Sequence, residues 1–163
     1  MVILNGSPGI GKTAHAIEYC SYITNKEESI IVRWINSDLE SKIKDGIKEI
    51  IEEIKNKELD KVDSFDKICH NLAHIIKNDF YGKNLLFVFD NLEDFELIKI
   101  FYTKFKNLDN IQMLITTKDN SFNDKLSKSK YKFADLKIDF FNHMQAKEFL
   151  KNLFKIILKI KNR

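Results

Sequence analysis

The sequence predicts an α/β domain in which a parallel sheet lies between layers of helices, a three-layer sandwich. Three observations predict it. Short apolar runs alternate along the chain with segments of helical period. One run, Leu85-Leu86-Phe87-Val88-Phe89, is apolar without interruption, as in a central strand covered on both faces. The first run, Val2-Ile3-Leu4, ends in a glycine-rich turn that leads straight into a helical segment.

The elements follow in order. After the glycine turn, a helix is expected to present Ala14, Ile17 and either Tyr19 or Cys20 to the core. Ile30, Ile31, Val32, Trp34 and Ile35 form a second buried strand, with Trp34 expected inside it. Ser37 with Glu40 three residues on reads as a capping box opening the next helix, whose stripe is Ile43, Ile47, Ile50, Ile51 and Ile54. A further helix carries Val62, Phe65, Ile68, Cys69, Leu72, Ile75 and Ile76. Beyond the 85–89 strand, Phe95, Ile98, Phe101, Phe105 and Leu108 keep the helical period. Residues 111–115 form another strand, ending in Thr116-Thr117, and 131–138 a fifth. Asn142 with Gln145 then starts a last helix bearing Ala146, Phe149, Leu150, Leu153, Phe154 and Ile157.

Composition narrows the class. At 163 residues the chain suits a single domain, and its 44% apolar and 31% charged residues are ordinary for a folded one. The net charge of +3 is small, and acidic residues interleave with basic ones, so no stripe for nucleic acid is expected. Lys125, Lys128, Lys130 and Lys132 read as a solvated loop edge. The apolar tail 149–160 is cut by three lysines and too short to span a bilayer, so no membrane role is expected. Cys20 and Cys69, far apart and at apolar helical positions, are expected as reduced core thiols of a cytoplasmic protein.

The chemistry lies in the turn. Gly6-Ser7-Pro8-Gly9-Ile10-Gly11-Lys12-Thr13 fits the pattern GxxxxGK[ST] of a phosphate-binding loop, between a strand and a helix as that pattern requires. Glycines let successive backbone N–H groups turn inward around an anion, and the N-terminus of the following helix adds positive potential. Residues 6–14, through Ala14, are therefore expected to bind the phosphates of ATP or ADP. Lys12 reaches the β- and γ-phosphates and the Thr13 hydroxyl ligates Mg2+. Asp90, directly after the apolar strand, stands at the end of the sheet where ligands bind, and is expected to hold the same Mg2+ opposite Thr13. His70 and His74 lack a third ligand and read as a helix-surface pair.

The glycine loop, Val32-Arg33-Trp34-Ile35-Asn36, the run from Leu86 to Asp94, and Leu114-Ile115-Thr116-Thr117-Lys118 together resemble four ordered motifs of the NB-ARC domain. Residues 136–150, with Met144-Gln145-Ala146-Lys147, are similar to the family's next motif. NB-ARC domains are the nucleotide-binding modules of STAND NTPases, which act as signalling switches. The resemblance implies a five-stranded parallel sheet in the order 5-1-4-3-2. It also implies other domains in a longer parent protein and homo-oligomers in the ATP-bound state.

Departures from the family's pattern are informative. Where many members have a second acidic residue after the Mg2+ aspartate, this chain has Asn91, an amide that cannot act as a general base. Glu93 and Asp94 are the candidate substitutes, although both also suit the start of a helix. The family's γ-phosphate-sensing arginine is replaced by Lys118, which keeps the charge without the bidentate geometry. The only arginines, Arg33 and Arg163, are not placed to clamp a transferred phosphoryl group, which argues against a kinase. The sole proline is Pro8, so the family's proline-containing motif is missing, and the helical and winged-helix subdomains are expected to be absent from residues 1–163. The expectation is an ATP/ADP-binding switch domain with weak or no hydrolysis. The alternatives are an active phosphohydrolase and a scaffold that binds nothing.

Overall fold

The computed structural model of the chain describes residues 1–27, 29–55, 64–80, 83–119, 121–127, 132–140, 142, 144–145 and 147–148. Among the described residues there are five strands: β1 (Val2–Asn5), β2 (Ile30–Asn36), β3 (Asn84–Asp90), β4 (Ile111–Thr117) and β5 (Ala134–Lys137). The helices are α1 (Lys12–Lys26), α2 (Glu40–Lys55), α3 (Phe65–Asp79), α4 (Phe95–Phe105) and α5 (Phe122–Ser127). All strand pairs are parallel, in the order β2-β3-β4-β1-β5. This is the order 5-1-4-3-2 that the resemblance implied, read from the other edge.

The strand pleat divides the core in two. Ile3, Leu85, Phe87, Phe89, Met113 and Ile115 face the larger cluster, built with α2, α3, α4 and α5. Their neighbours Leu4, Leu86, Val88 and Leu114 face the other side, under Ala16, Cys20 and Ile23 of α1. The larger cluster contains a stack of rings. Phe101 meets Phe87 and Phe89 edge-on, with centroids 5.1 and 4.8 Å away, and stacks on Phe105 at 4.1 Å.

Several expectations are corrected. In α1 the buried face is Ala16 with half-buried Cys20 and Ile23, whereas Ala14, Ile17 and Tyr19 are exposed. Cys20 is therefore a boundary thiol, and only Cys69 is fully in the core. Trp34 is exposed because β2 is an edge strand, where one face is only partly covered. Ser37 does not cap α2: its hydroxyl donates to the Ile35 carbonyl at 2.9 Å, and the helix starts at Glu40. The predicted 62–76 helix is α3, beginning at Phe65 with Ser64 as its N-cap; Val62 lies outside the described residues. Leu108 falls in the turn after α4 rather than on the helix. The fifth strand is shorter than residues 131–138, and the intervening α5 went unpredicted. The predicted reciprocal cap of the last helix is made, Asn142 and Gln145 exchanging two bonds of 2.9 Å. The stripe expected on that helix, from Ala146 to Ile157, lies outside the described residues, as do Lys128 and Lys130.

Candidate functional site

The parallel sheet brings the ends of β1, β3 and β4 to one edge of the molecule, which is where ligands bind in open α/β sheets. The glycine loop leaves β1 there. Gly6, Gly9 and Gly11 all have positive φ, at 151°, 76° and 99°. A Cβ on Gly6 would stand 2.5 Å from the Ile138 carbonyl oxygen, so that glycine is fixed by the close approach of the chain leaving β5. A Cβ on Gly9 would meet nothing within 4 Å, because this turn of the loop faces open space. Gly11, left-handed, is the residue before α1. Ile10 closes the loop through its N–H to the Ser7 carbonyl at 3.3 Å, and Ser7 and Pro8 are exposed on the outer turn.

Lys12 is buried, and its Nζ donates to the carbonyls of Gly6 and Ser7 at 2.8 and 2.9 Å. Burial lowers its pKa from the usual lysine range; the Asp90 carboxylate works against that shift and the Lys118 ammonium adds to it. An anion in the loop would relieve both opposing effects.

Asp90 ends β3 with a buried carboxylate that takes two hydroxyl donors. Thr13 donates to it at 2.9 Å and Thr116, from the adjacent strand, at 2.5 Å. Thr116 also accepts the Asn91 N–H at 2.9 Å, which holds Asn91 in a left-handed conformation with φ 60°. The Leu92 N–H adds a bond to the Thr116 carbonyl at 2.9 Å, so Thr116 fixes the whole turn after β3. The donors that meet, one hydroxyl and one carboxylate, are hard oxygens of the sort Mg2+ takes when waters and phosphates complete its shell. Among the described residues no three His, Cys, Asp or Glu converge as a metal-binding set. Thr13 and Asp90 thus fit Mg2+ held jointly with a nucleotide.

A cavity of about 630 Å³ opens over the loop, lined by Pro8, Gly9, Gly11, Lys12, Thr13, Ala14, Asp38, Asn91, Glu93 and Lys118. Lys118 does reach this cavity, but its ammonium is paired with the Glu93 carboxylate at 2.5 Å. Asp94 is not in its lining: it caps α4, accepting the Glu96 N–H at 2.9 Å. Asp38 was not anticipated. One of its oxygens pairs with Lys42 at 2.8 Å, and the other is buried with no partner among the described residues. Nor was Thr116 anticipated as a site residue, although the pair Thr116-Thr117 at a strand end was the available signal. His70 and His74 are on the exposed side of α3, His74 beside Asn78. A second cavity, about 550 Å³, lies against the α1 face between Leu4, Leu114, Tyr19 and Ile138, and its lining among the described residues is mostly apolar.

The sheet order, the glycine loop opening α1 and the Thr13–Asp90 pair at the strand ends define a P-loop nucleotide-binding domain. The NB-ARC domain model matches residues 1–155, and the chain belongs to that family. Among solved structures it is similar to the Aeropyrum pernix ORC2 protein in ADPNP–ADP complexes, with a TM-score of 0.60 and 14% identity over 92% of this chain and 44% of that one. It is also similar to Drosophila ORC bound to GC-rich DNA and Cdc6, with a TM-score of 0.53 and 14% identity over 87% of this chain and 51% of that one. At such identity the likeness is one of fold, and the chain spans about half the length of those structures or less. No curated relative matches the chain. Among the described residues no helix is long and apolar enough to cross a membrane.

Proposed function

We propose that this domain is the ATP/ADP-binding element of a signalling switch of the NB-ARC type, with slow hydrolysis or none when alone. Residues 6–14 grip the phosphates, Thr13 and Asp90 hold Mg2+, and Lys118 senses the γ-phosphate. One observation supports the reading: the acidic side chains at and after the end of β3 are each engaged elsewhere, Asp90 by the hydroxyls of Thr13 and Thr116. The position after Asp90 is the amide Asn91, Glu93 is paired with Lys118, and Asp94 caps α4. A domain that keeps its triphosphate holds its state until something else acts on it. Other domains of a longer parent protein, and self-association in the triphosphate state, belong to the same proposal, as does a cytoplasmic location.

Thermal unfolding with Mg-ADP and Mg-ATP tests the grip. Ligand at about a hundred times its Kd adds about 2.7 kcal/mol, or roughly 5–10 °C for a chain of this length. The shift is expected in wild type and absent in Lys12→Ala; no shift in wild type refutes nucleotide binding. A second reading, an active phosphohydrolase, is favoured by the partnerless oxygen of Asp38 beside the cavity. Rapid single-turnover phosphate release that Asp38→Asn abolishes would replace the switch with that reading.

A further inference from the structure

Glu93 and Lys118 follow β3 and β4 on adjacent turns, and both line the cavity over the glycine loop. Their side chains meet at 2.5 Å, so the second ammonium of the cavity is already claimed by a carboxylate of the same chain. The two ammonium groups are not equivalent. Lys12 is bonded to neutral carbonyls, which a phosphate displaces without separating an ion pair. An anion that engages Lys118 competes with Glu93 for its charge. The cavity's other carboxylate, Asp38, is paired with Lys42 through one oxygen.

We propose that Glu93 determines how strongly the domain prefers a nucleoside triphosphate to a diphosphate. A diphosphate engages Lys12 and leaves the Glu93–Lys118 pair intact. A terminal phosphate recruits Lys118 in competition with the Glu93 carboxylate. Glu93 therefore acts as an internal competitor for the terminal phosphate and holds the domain toward its diphosphate form. The inference rests on the nucleotide-binding reading above and goes beyond it in giving Glu93 a role other than that of a base. Because both side chains are about half exposed, solvent screening keeps the effect modest.

The test is a double-mutant cycle on Glu93→Gln and Lys118→Met, with Mg-ADP and a non-hydrolysable Mg-ATP analogue titrated by calorimetry. Glu93→Gln is expected to raise the triphosphate-over-diphosphate affinity ratio about threefold, the scale of an exposed ion pair, chiefly through tighter triphosphate binding. Lys118→Met is expected to lower the ratio, and on that background Glu93→Gln should change it much less. A ratio unmoved by Glu93→Gln overturns the proposal while ADP binding stands. So does an equal change with and without Lys118, which would mean direct repulsion of phosphate by Glu93. Failure of wild type to bind either nucleotide overturns the nucleotide reading itself and this proposal with it. Glu93→Gln melts near wild type without ligand if its role is confined to the cavity.

Discussion

Replacing Thr116 by valine removes one oxygen from a fully buried position near the end of β4, beside the turn that follows β3. Valine has nearly the same shape, so no cavity opens; what is lost is hydrogen bonding. The Asp90 carboxylate loses its 2.5 Å donor and the Asn91 N–H its acceptor. A bond to a charged group contributes about 1.5–3 kcal/mol and a neutral one about 1 kcal/mol. Asp90 keeps the Thr13 hydroxyl, and the Asn91 N–H belongs to an exposed residue, so the expected net loss is about 2–3 kcal/mol. For a chain of this length that lowers Tm by roughly 4–12 °C. ADP affinity should fall as well, and more in Mg2+ than in EDTA, because the Asp90 carboxylate loses one of the two bonds that orient it toward Thr13. Thr116→Ser keeps the oxygen and gives up one methyl, about 0.8 kcal/mol, so it should melt between the two and bind Mg-ADP nearly as wild type does. Circular dichroism melts and calorimetry measure both quantities. If the valine variant melts and binds as wild type does, or if serine and valine are equally impaired, the hydroxyl is not what organises the site.

Two further outcomes follow from the core. Phe101→Ala removes the ring at the centre of the Phe87, Phe89 and Phe105 cluster and should cost about 3–5 kcal/mol, seen as a shifted denaturant midpoint with an unchanged slope; a loss under about 1 kcal/mol would mean that the cluster is not close-packed. Burial, with a smaller effect from Asp66, pushes the Cys69 thiol up to about 12, so it should resist alkylation in the native state far longer than half-buried Cys20. Its native pKa is above that of an ordinary thiol, so the native state binds the extra proton and stability falls as pH rises from about 9 toward 12. The contribution has a slope of up to about 1.4 kcal/mol per pH unit. Cys69→Ala should remove that part of the slope, and a pH dependence identical to wild type would contradict it.

The order of elements, the sheet alternation and the phosphate loop were legible because each is a local pattern. A strand buried on both faces needs an unbroken apolar run, as in β3, and a loop that wraps an anion needs glycines at fixed spacing. What the sequence hid depended on position in the assembled sheet. Trp34 lies on an edge strand, and nothing local says which strand is the edge. The α1 helix has its loop at one end and only small Ala16 fully buried among its apolar residues, so its periodicity is too weak to show which side faces the sheet. The six-residue α5 buries Phe122 and Leu126, a single helical spacing that no period can reveal.

The same division runs through the site. Gly6, Gly9, Gly11, Lys12, Thr13 and Asp90 were marked by residue type and neighbours alone, because phosphate and Mg2+ chemistry constrain those types. Thr116, 26 residues from Asp90, and Lys118, 25 residues from Glu93, became partners only when parallel pairing set the end of β4 beside the end of β3. A hydrogen bond or an ion pair depends on distances of about 3 Å between side chains, and only the tertiary structure fixes those distances.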